Sequence, residues 1–481
     1  MLLINFLKIT SILLAIVGGT FLIPLSVAFA YGETSMYLPF IIPMIASFIL
    51  CFAVNFPTRK MKFSMSTKQT YLIVAMAWII ATFLGSVPLY FSRCFSSYSD
   101  ALFESFSGFS TTGATVLAQV EQLPRSVNVW RCLTHWIGGM GIVTLTVALM
   151  PLLGVGGFQL IKAETTGPEK GKVTARITTT AKLLWTIYIS FTVLEIIALR
   201  LAGMDFVDAM AHSFATLGTG GFSTRNTSIG SYNSLSIDII VTLFMFLSGI
   251  NFSLFFYLVS GKIKEFFKNS ELKAYISIIF VVILLLSFAL IPTYGNFGTS
   301  LRYSSFQVVS IMTTTGFSTA NYLQWSNLAQ FLIFILFFIG GCSGSTSGGF
   351  KVIRWVILSK QVSNETKTML HPHGVFNIRL NGKIASKEIV SSVAAFTTLY
   401  FFLVLITTFV GCIGNLDIWT SLTAALSMIG NVGPAFGLLG PAANYGMLPV
   451  FVKYWYCFAM MAGRLELYTM LIFFMPAYWK K

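Results

Sequence analysis

Four segments of this 481-residue chain share a pattern that few folds accommodate. Each is about a dozen moderately apolar residues ending in small residues and a glycine, too short to cross a bilayer, which takes about 20 apolar residues. They run Phe103–Gly113, Ala211–Gly221, Phe306–Gly316 and Thr423–Gly433. Aligned on the last glycine, they share a small residue six places earlier: Ser107, Ala215, Ser310 and Ser427. Two go on almost identically, as Gly221-Phe222-Ser223-Thr224 and Gly316-Phe317-Ser318-Thr319. The glycines recur about every hundred residues, one per pair of long apolar stretches. The chain is therefore an internal repeat of helix, short re-entrant helix, glycine hairpin and helix, occurring four times.

The solvent for such a chain is lipid. Hydrophobic residues make up 56% and charged residues only 10%, against roughly 25% charged in a soluble domain. A soluble binding module is excluded. Apolar windows predict spans near 6–30, 37–56, 70–92, 128–155, 179–203, 235–260, 273–293, 326–358, 387–412 and 447–477. That is ten, with the first expected to remain as an uncleaved spanning helix rather than a signal peptide. The net charge of +15 is spread over short basic runs between apolar pairs. They are Arg59–Lys68, Lys162–Lys182, Lys262–Lys273, Lys351–Lys387 and Lys480–Lys481. Such runs mark cytoplasmic loops, so both termini are expected inside and the charge reads as topology, with no nucleic acid partner. The six scattered cysteines lack metal-ligand or disulfide spacing.

All four hairpins then fall on one face of the membrane in one orientation, and parallel pseudo-fourfold packing around one axis follows. Irregular backbone at membrane depth is tolerated where it lines a water-filled cavity or is buried in protein. Short helices pointing their C-terminal ends inward bring about half an elementary negative charge each. Extended strands beyond them present carbonyls that replace the hydration shell of a weakly hydrated cation. The expected donors are Thr111, Thr112 and Gly113; Thr219, Gly220 and Gly221; Thr314, Thr315 and Gly316; and Asn431, Val432 and Gly433. No carboxylate lies among them, so a monovalent ion is favoured over a divalent one. One glycine turn alone would read as a turn or a helix contact; four in register read as a pore.

The residues Arg131–Gly141, Leu152–Gly157, Lys162–Pro168, Ser110–Thr115, Gly340–Lys351 and Gly463–Glu466 resemble signatures of the Trk/Ktr/HKT superfamily of potassium transporters. The likeness is nearest to the bacterial Trk type and covers essentially the whole chain, including two extra N-terminal spans. It implies an all-α membrane protein of the bacterial inner membrane that takes up potassium and is no enzyme. It divides the chain into two extra helices (1–68) and four pore repeats, 69–176, 177–268, 269–370 and 371–481. Further implied are a homodimer with one pore per protomer and a cytoplasmic ring of TrkA-like nucleotide-binding subunits. This chain itself lacks a nucleotide-binding glycine motif in a soluble domain; potassium is its only expected ligand. Glycine at the first filter position, Gly113, favours potassium over sodium by analogy with plant relatives.

Within the span 326–358, the stretch Gly340–Gly349 holds five glycines and three serines. Each glycine costs a helix about 1 kcal/mol relative to alanine, so a break is expected there. Close helix packing through small residues is the alternative. The resemblance implies an intramembrane gating loop of Gly340, Gly341, Ser343, Gly344, Ser345, Thr346, Ser347, Gly348 and Gly349, touched by Arg464. An arginine in hydrocarbon faces a cavity or a partner; Glu466, two residues on, is not its helix-face neighbour. His135 and His212 read as packing or hydrogen-bonding groups, and Glu195 and Arg200 as interface anchors. Asp100, Asp208 and Asp417 are expected as caps or dipole partners of the short helices; Arg302 stands in that region of the third repeat. The rival readings are a proton- or sodium-coupled potassium symporter and a less selective potassium/sodium channel. An inverted-repeat transporter fits poorly with repeats of one orientation, and an embedded enzyme lacks a nucleophile–base pair.

Overall fold

The computed structural model describes residues 2–59, 67–141 and 177–480. The motifs Leu152–Gly157 and Lys162–Pro168, Arg176 and Lys60–Lys62 lie outside them. The described chain is helical apart from one two-residue hairpin, Arg379–Leu380 against Lys383–Ile384. Among the described residues, six helices are long and apolar enough to cross a membrane. They are Ile4–Tyr31, Thr34–Thr58, Tyr71–Phe91, Ala181–Leu201, Ser270–Tyr294 and Lys387–Ile413. Apolar windows locate them well because each is a long apolar helical run with exposed side chains such as Ile49, Leu194, Phe280 and Phe409; the first turns at Phe21, between Leu2–Thr20 and Leu22–Tyr31.

Four shorter helices end just before the glycine segments: Tyr98–Phe109, Phe206–Leu217, Phe297–Met312 and Ile418–Gly430. Each begins at a polar cap, Ser97, Asp205, Asn296 or Asp417, whose side chain accepts a first-turn backbone N–H. Asp417 is thus a cap, and two hydrogen bonds from Thr420, hydroxyl first and then backbone, hold its carboxyl below the usual carboxylate range. Asp100 and Asp208 are not caps but stand in the first turn, where the helix dipole favours an acid. They pair with Lys453 (2.6 Å) and Arg225 (2.9 Å). Arg302 completes the set with reversed polarity, bound to Asp238 of the preceding repeat at 2.7 Å.

The spans that follow the hairpins depart most from expectation. The sequence marks one break, at Gly340–Gly349; among the described residues the spans of the second, third and fourth repeats are all interrupted. Leu235–Ser248 turns by 98° into Phe252–Val259. Asn327–Leu336 gives way to the loop before Val352–Leu370, and Val450–Arg464 stops before Tyr468–Leu471. In the first repeat Arg125–Gly139 ends at Met140. Hydropathy does not see these breaks, because residues such as Ile250 and Leu465 stay apolar through the bend.

Each broken helix packs on the short helix of the next repeat. Arg125–Gly139 lies on Phe206–Leu217, Leu235–Ser248 on Phe297–Met312, and Val450–Arg464 back on Tyr98–Phe109. Between the third and fourth, the rings of Phe334 and Trp419 meet at 4.8 Å. The N-terminal helices sit to one side, where the tilted rings of Phe21 and Trp130 meet at 4.5 Å.

Candidate functional site

At the end of each short helix the backbone makes the same turn. Thr111, Thr219, Thr314 and Asn431 adopt φ between 52° and 59°, and Gly113, Gly221, Gly316 and Gly433 between 79° and 97°. The shared small residue is fully buried at all four positions, and its backbone carbonyl closes the turn. The backbone N–H groups of Thr112, Gly220, Thr315 and Val432 donate to the carbonyls of Ser107, Ala215, Ser310 and Ser427 at 2.8–2.9 Å. This is a Schellman closure of the helix, with the left-handed residue at the cap. It turns the chain sharply and leaves the carbonyls beyond it free of helix.

The four turns form a ring. A Cβ on Gly113 would lie 1.9 Å from the Gly220 carbonyl oxygen, and one on Gly221 2.0 Å from that of Thr315. On Gly316 it would meet the Val432 oxygen at 2.1 Å, and on Gly433 the Thr112 oxygen at 2.5 Å, which returns to the start. A cavity of about 110 Å³ is lined by all four glycines. Packed carbonyls crossing a positive-φ glycine explain why no other residue stands there.

Behind the ring is a polar support that the sequence reading passed over. Glu104 and Arg131, each 1% exposed, pair at 2.7 Å. Glu104 also accepts from the Thr115 hydroxyl and the Val116 N–H (2.8 and 3.0 Å), in the strand leaving Gly113. Arg131 donates to Asn128 Oδ1 and lies 4.3 Å above the Phe222 ring, just past Gly221. The signal was present as two opposite charges inside apolar segments of one repeat. His135 stacks on Phe222 at 4.2 Å and occupies the place a side chain on Gly220 would need, its Nδ1 2.1 Å from such a Cβ. His212 hydrogen-bonds the Asp208 carbonyl and the Ser223 hydroxyl, both at 2.8 Å. Glu195, expected as an interface anchor, is instead fully buried in the protein.

The loop Gly340–Gly349 runs directly against the ring. The Gly348 N–H donates to Thr314 Oγ1 at 2.7 Å, and a Cβ on Gly348 would touch the Gly430 oxygen and Asn431. The loop is laced to the break in the second repeat: Cys342 N–H to the Gly249 carbonyl (2.8 Å) and Phe252 N–H to that of Gly344 (3.0 Å). Glu271 accepts from Ser343 N–H at 2.6 Å, and the Lys351 ammonium donates to the Ser347 carbonyl. Arg464 spans three repeats, donating to the Thr346 carbonyl (2.6 Å) and to those of Gly138 and Gly139 (2.6 and 2.7 Å). Glu466 turns away to pair with Arg354. The candidate residues thus fall into one ring and one loop in contact with it.

The family model described as "TrkH: Cation transport protein" matches residues 39–481 of this helical chain. The chain belongs to that family. It is 36% identical to the Trk system potassium uptake protein TrkH of Escherichia coli K12, over 98% of this chain and 99% of that protein. It is 35% identical to TrkG of the same organism, over 95% and 94%. The crystal structure of the potassium transporter TrkH from Vibrio parahaemolyticus superposes with a TM-score of 0.87 at 34% identity, covering both chains fully.

Proposed function

We propose that this chain takes up potassium through a single pore formed by its four repeats. The observation that carries the reading is the convergence of Gly113, Gly221, Gly316 and Gly433 on one cavity, each packed against its neighbour's carbonyl. Dehydrated potassium binds to the carbonyls of the residues 111–113, 219–221, 314–316 and 431–433, and the C-terminal ends of the four short helices add favourable potential. The repeats fall at 69–176, 177–268, 269–370 and 371–481 and supply eight spans, with two more before them. Both termini lie on the cytoplasmic side of a bacterial inner membrane. The protein works as a homodimer with a TrkA-like nucleotide-binding ring beneath it. Passive uptake suffices, since a potential of 100 mV supplies about 2.3 kcal/mol per charge.

The test is rubidium flux into liposomes holding this chain, with potassium, sodium and lithium as competitors. Competition by potassium well above sodium supports the proposal; equal competition by all three would overturn it.

The loop Gly340–Gly349 is the gate in this reading, and Arg464 its latch. The latch makes three charge-assisted hydrogen bonds to carbonyls, each of a kind worth about 1.5–3 kcal/mol. If opening breaks the equivalent of one such bond, Arg464→Ala raises rubidium flux of the chain alone by roughly tenfold, with folding retained. Deletion of Gly344–Ser347 should act in the same direction. Flux unchanged in both variants would leave the loop without a gating role.

A further inference from the structure

A second cavity, of about 370 Å³, opens between the helices Leu235–Ser248 and Ser270–Tyr294 and the short helix Phe297–Met312. Its walls are apolar, with Leu243, Phe246, Ile279 and Ile283 along its length, and one end carries Asp238 and Arg302. That volume lies within the range of small-molecule sites, roughly 300–1,000 Å³. Leu243 and the neighbouring Ile239 are 51% and 59% exposed, so the groove faces outward, toward lipid.

The ion pair at its end is lopsided. Arg302 donates from both Nε and Nη2 to the same oxygen, Asp238 Oδ2, each at 2.7 Å. Asp238 is 3% exposed, and its other oxygen, Oδ1, has no hydrogen-bond partner among the described residues. A buried carboxylate oxygen left without a donor is costly. The two hydroxyls in the groove wall, Thr242 and Ser305, are spent on the backbone carbonyls of Asp238 and Arg302, so a donor carried by whatever fills the groove would complete the carboxylate. That occupant needs a cationic or N–H head and a hydrocarbon body. Arg302 keeps 23% of its side chain exposed and adds a complementary charge for an anion next to that head.

We propose that this groove is a headgroup-selective lipid site for a phospholipid with a primary amine. The ammonium donates to Asp238 Oδ1, the phosphate lies by Arg302, and one acyl chain runs along Leu243, Phe246, Ile279 and Ile283. Asp238 opens its helix one turn after the loop on the hairpin side, which places the headgroup at that surface of the bilayer. Val309, on the short helix that leads to Thr314, lines the same groove. The bound lipid thereby supports the third hairpin from its lipid side.

The test is native mass spectrometry of the full chain, delipidated in detergent and titrated with dioleoyl phosphatidylethanolamine or dioleoyl phosphatidylglycerol. The wild type is expected to hold one amine lipid roughly tenfold more tightly than the glycerol lipid, the scale of one charge-assisted hydrogen bond. Asp238→Asn keeps an acceptor for Arg302 but turns a donor toward the groove, and should erase the preference. Leu243→Trp fills the groove without touching the ion pair and should remove the tight adduct; Thr242→Phe serves if that variant does not fold. Equal affinity for both lipids in the wild type would reduce the groove to ordinary annular contact and overturn the proposal. So would an adduct indifferent to groove filling, or a lipid-free dimer with the groove covered by a second copy.

Discussion

Gly113→Ser, measured by rubidium flux with sodium competition, is expected to lose roughly one to two powers of ten of its preference for potassium. Two independent costs act at the position. The backbone holds φ 80°, a conformation that strains a side-chain-bearing residue by about 1–3 kcal/mol. The new Cβ would also lie 1.9 Å from the Gly220 carbonyl oxygen, so that oxygen must move, and it belongs to the neighbouring repeat. Selectivity between ions of one charge depends on where such oxygens stand, and each 1.4 kcal/mol is a factor of ten. The four positions should not behave alike. The Cβ approach is 1.9 Å at Gly113, 2.0 Å at Gly221, 2.1 Å at Gly316 and 2.5 Å at Gly433. Gly433→Ser is expected to be the mildest. Four equal effects would mean that strain alone acts; undiminished selectivity in Gly113→Ser would remove its carbonyl from the filter.

Arg131→Met is expected to cost the folded protein about 3–5 kcal/mol, the usual price of leaving one member of a buried pair without its partner. Glu104 would keep its charge at 1% exposure with only the Thr115 hydroxyl and the Val116 N–H to answer it. The damage should reach the ring, because Glu104 anchors the strand leaving Gly113 and Arg131 covers Phe222 beside Gly221. Replacing both, as Glu104→Leu with Arg131→Met, removes the stranded charge and should recover a large part of the loss. Thermal unfolding followed by size-exclusion chromatography in detergent reads both variants. A double variant no better than Arg131→Met would show that packing, not charge, is what the pair contributes.

The parts of this molecule that could be read from sequence are those set by short stretches of chain. Uninterrupted apolar helices such as Ser270–Tyr294 and Lys387–Ile413 follow from hydropathy within a single window. The four glycine segments, and the small residue six places before each glycine, are likewise local. That residue is fully buried, and its backbone carbonyl takes a Schellman hydrogen bond spanning five positions, as from Thr112 N–H to Ser107. Asp417 as a cap falls in the same category. Where two residues could fill one local role, neighbours decided. Asp100 and Asp208 stand within the first turns of their helices, yet the caps are Ser97 and Asp205, and the two aspartates are drawn off by Lys453 and Arg225.

Sequence alone determined that this chain lives in lipid and that it carries four short helices ending in glycine turns, because both depend on composition or on hydrogen bonds a few residues long; between a break and close helix packing at Gly340–Gly349 it left the choice open. Tertiary structure decided the rest. The order of the ring rests on contacts such as Gly433 with Thr112, more than 300 positions apart. The break at Gly249 falls on a residue that disfavours helix, but the turn there is held by the distant loop, through Cys342 N–H on the Gly249 carbonyl. Arg464 acquired its place from carbonyls of the first and third repeats. A charge in an apolar span announces that it must have a partner, but only packing chooses which one, since pairing energy depends on distance in space and not along the chain.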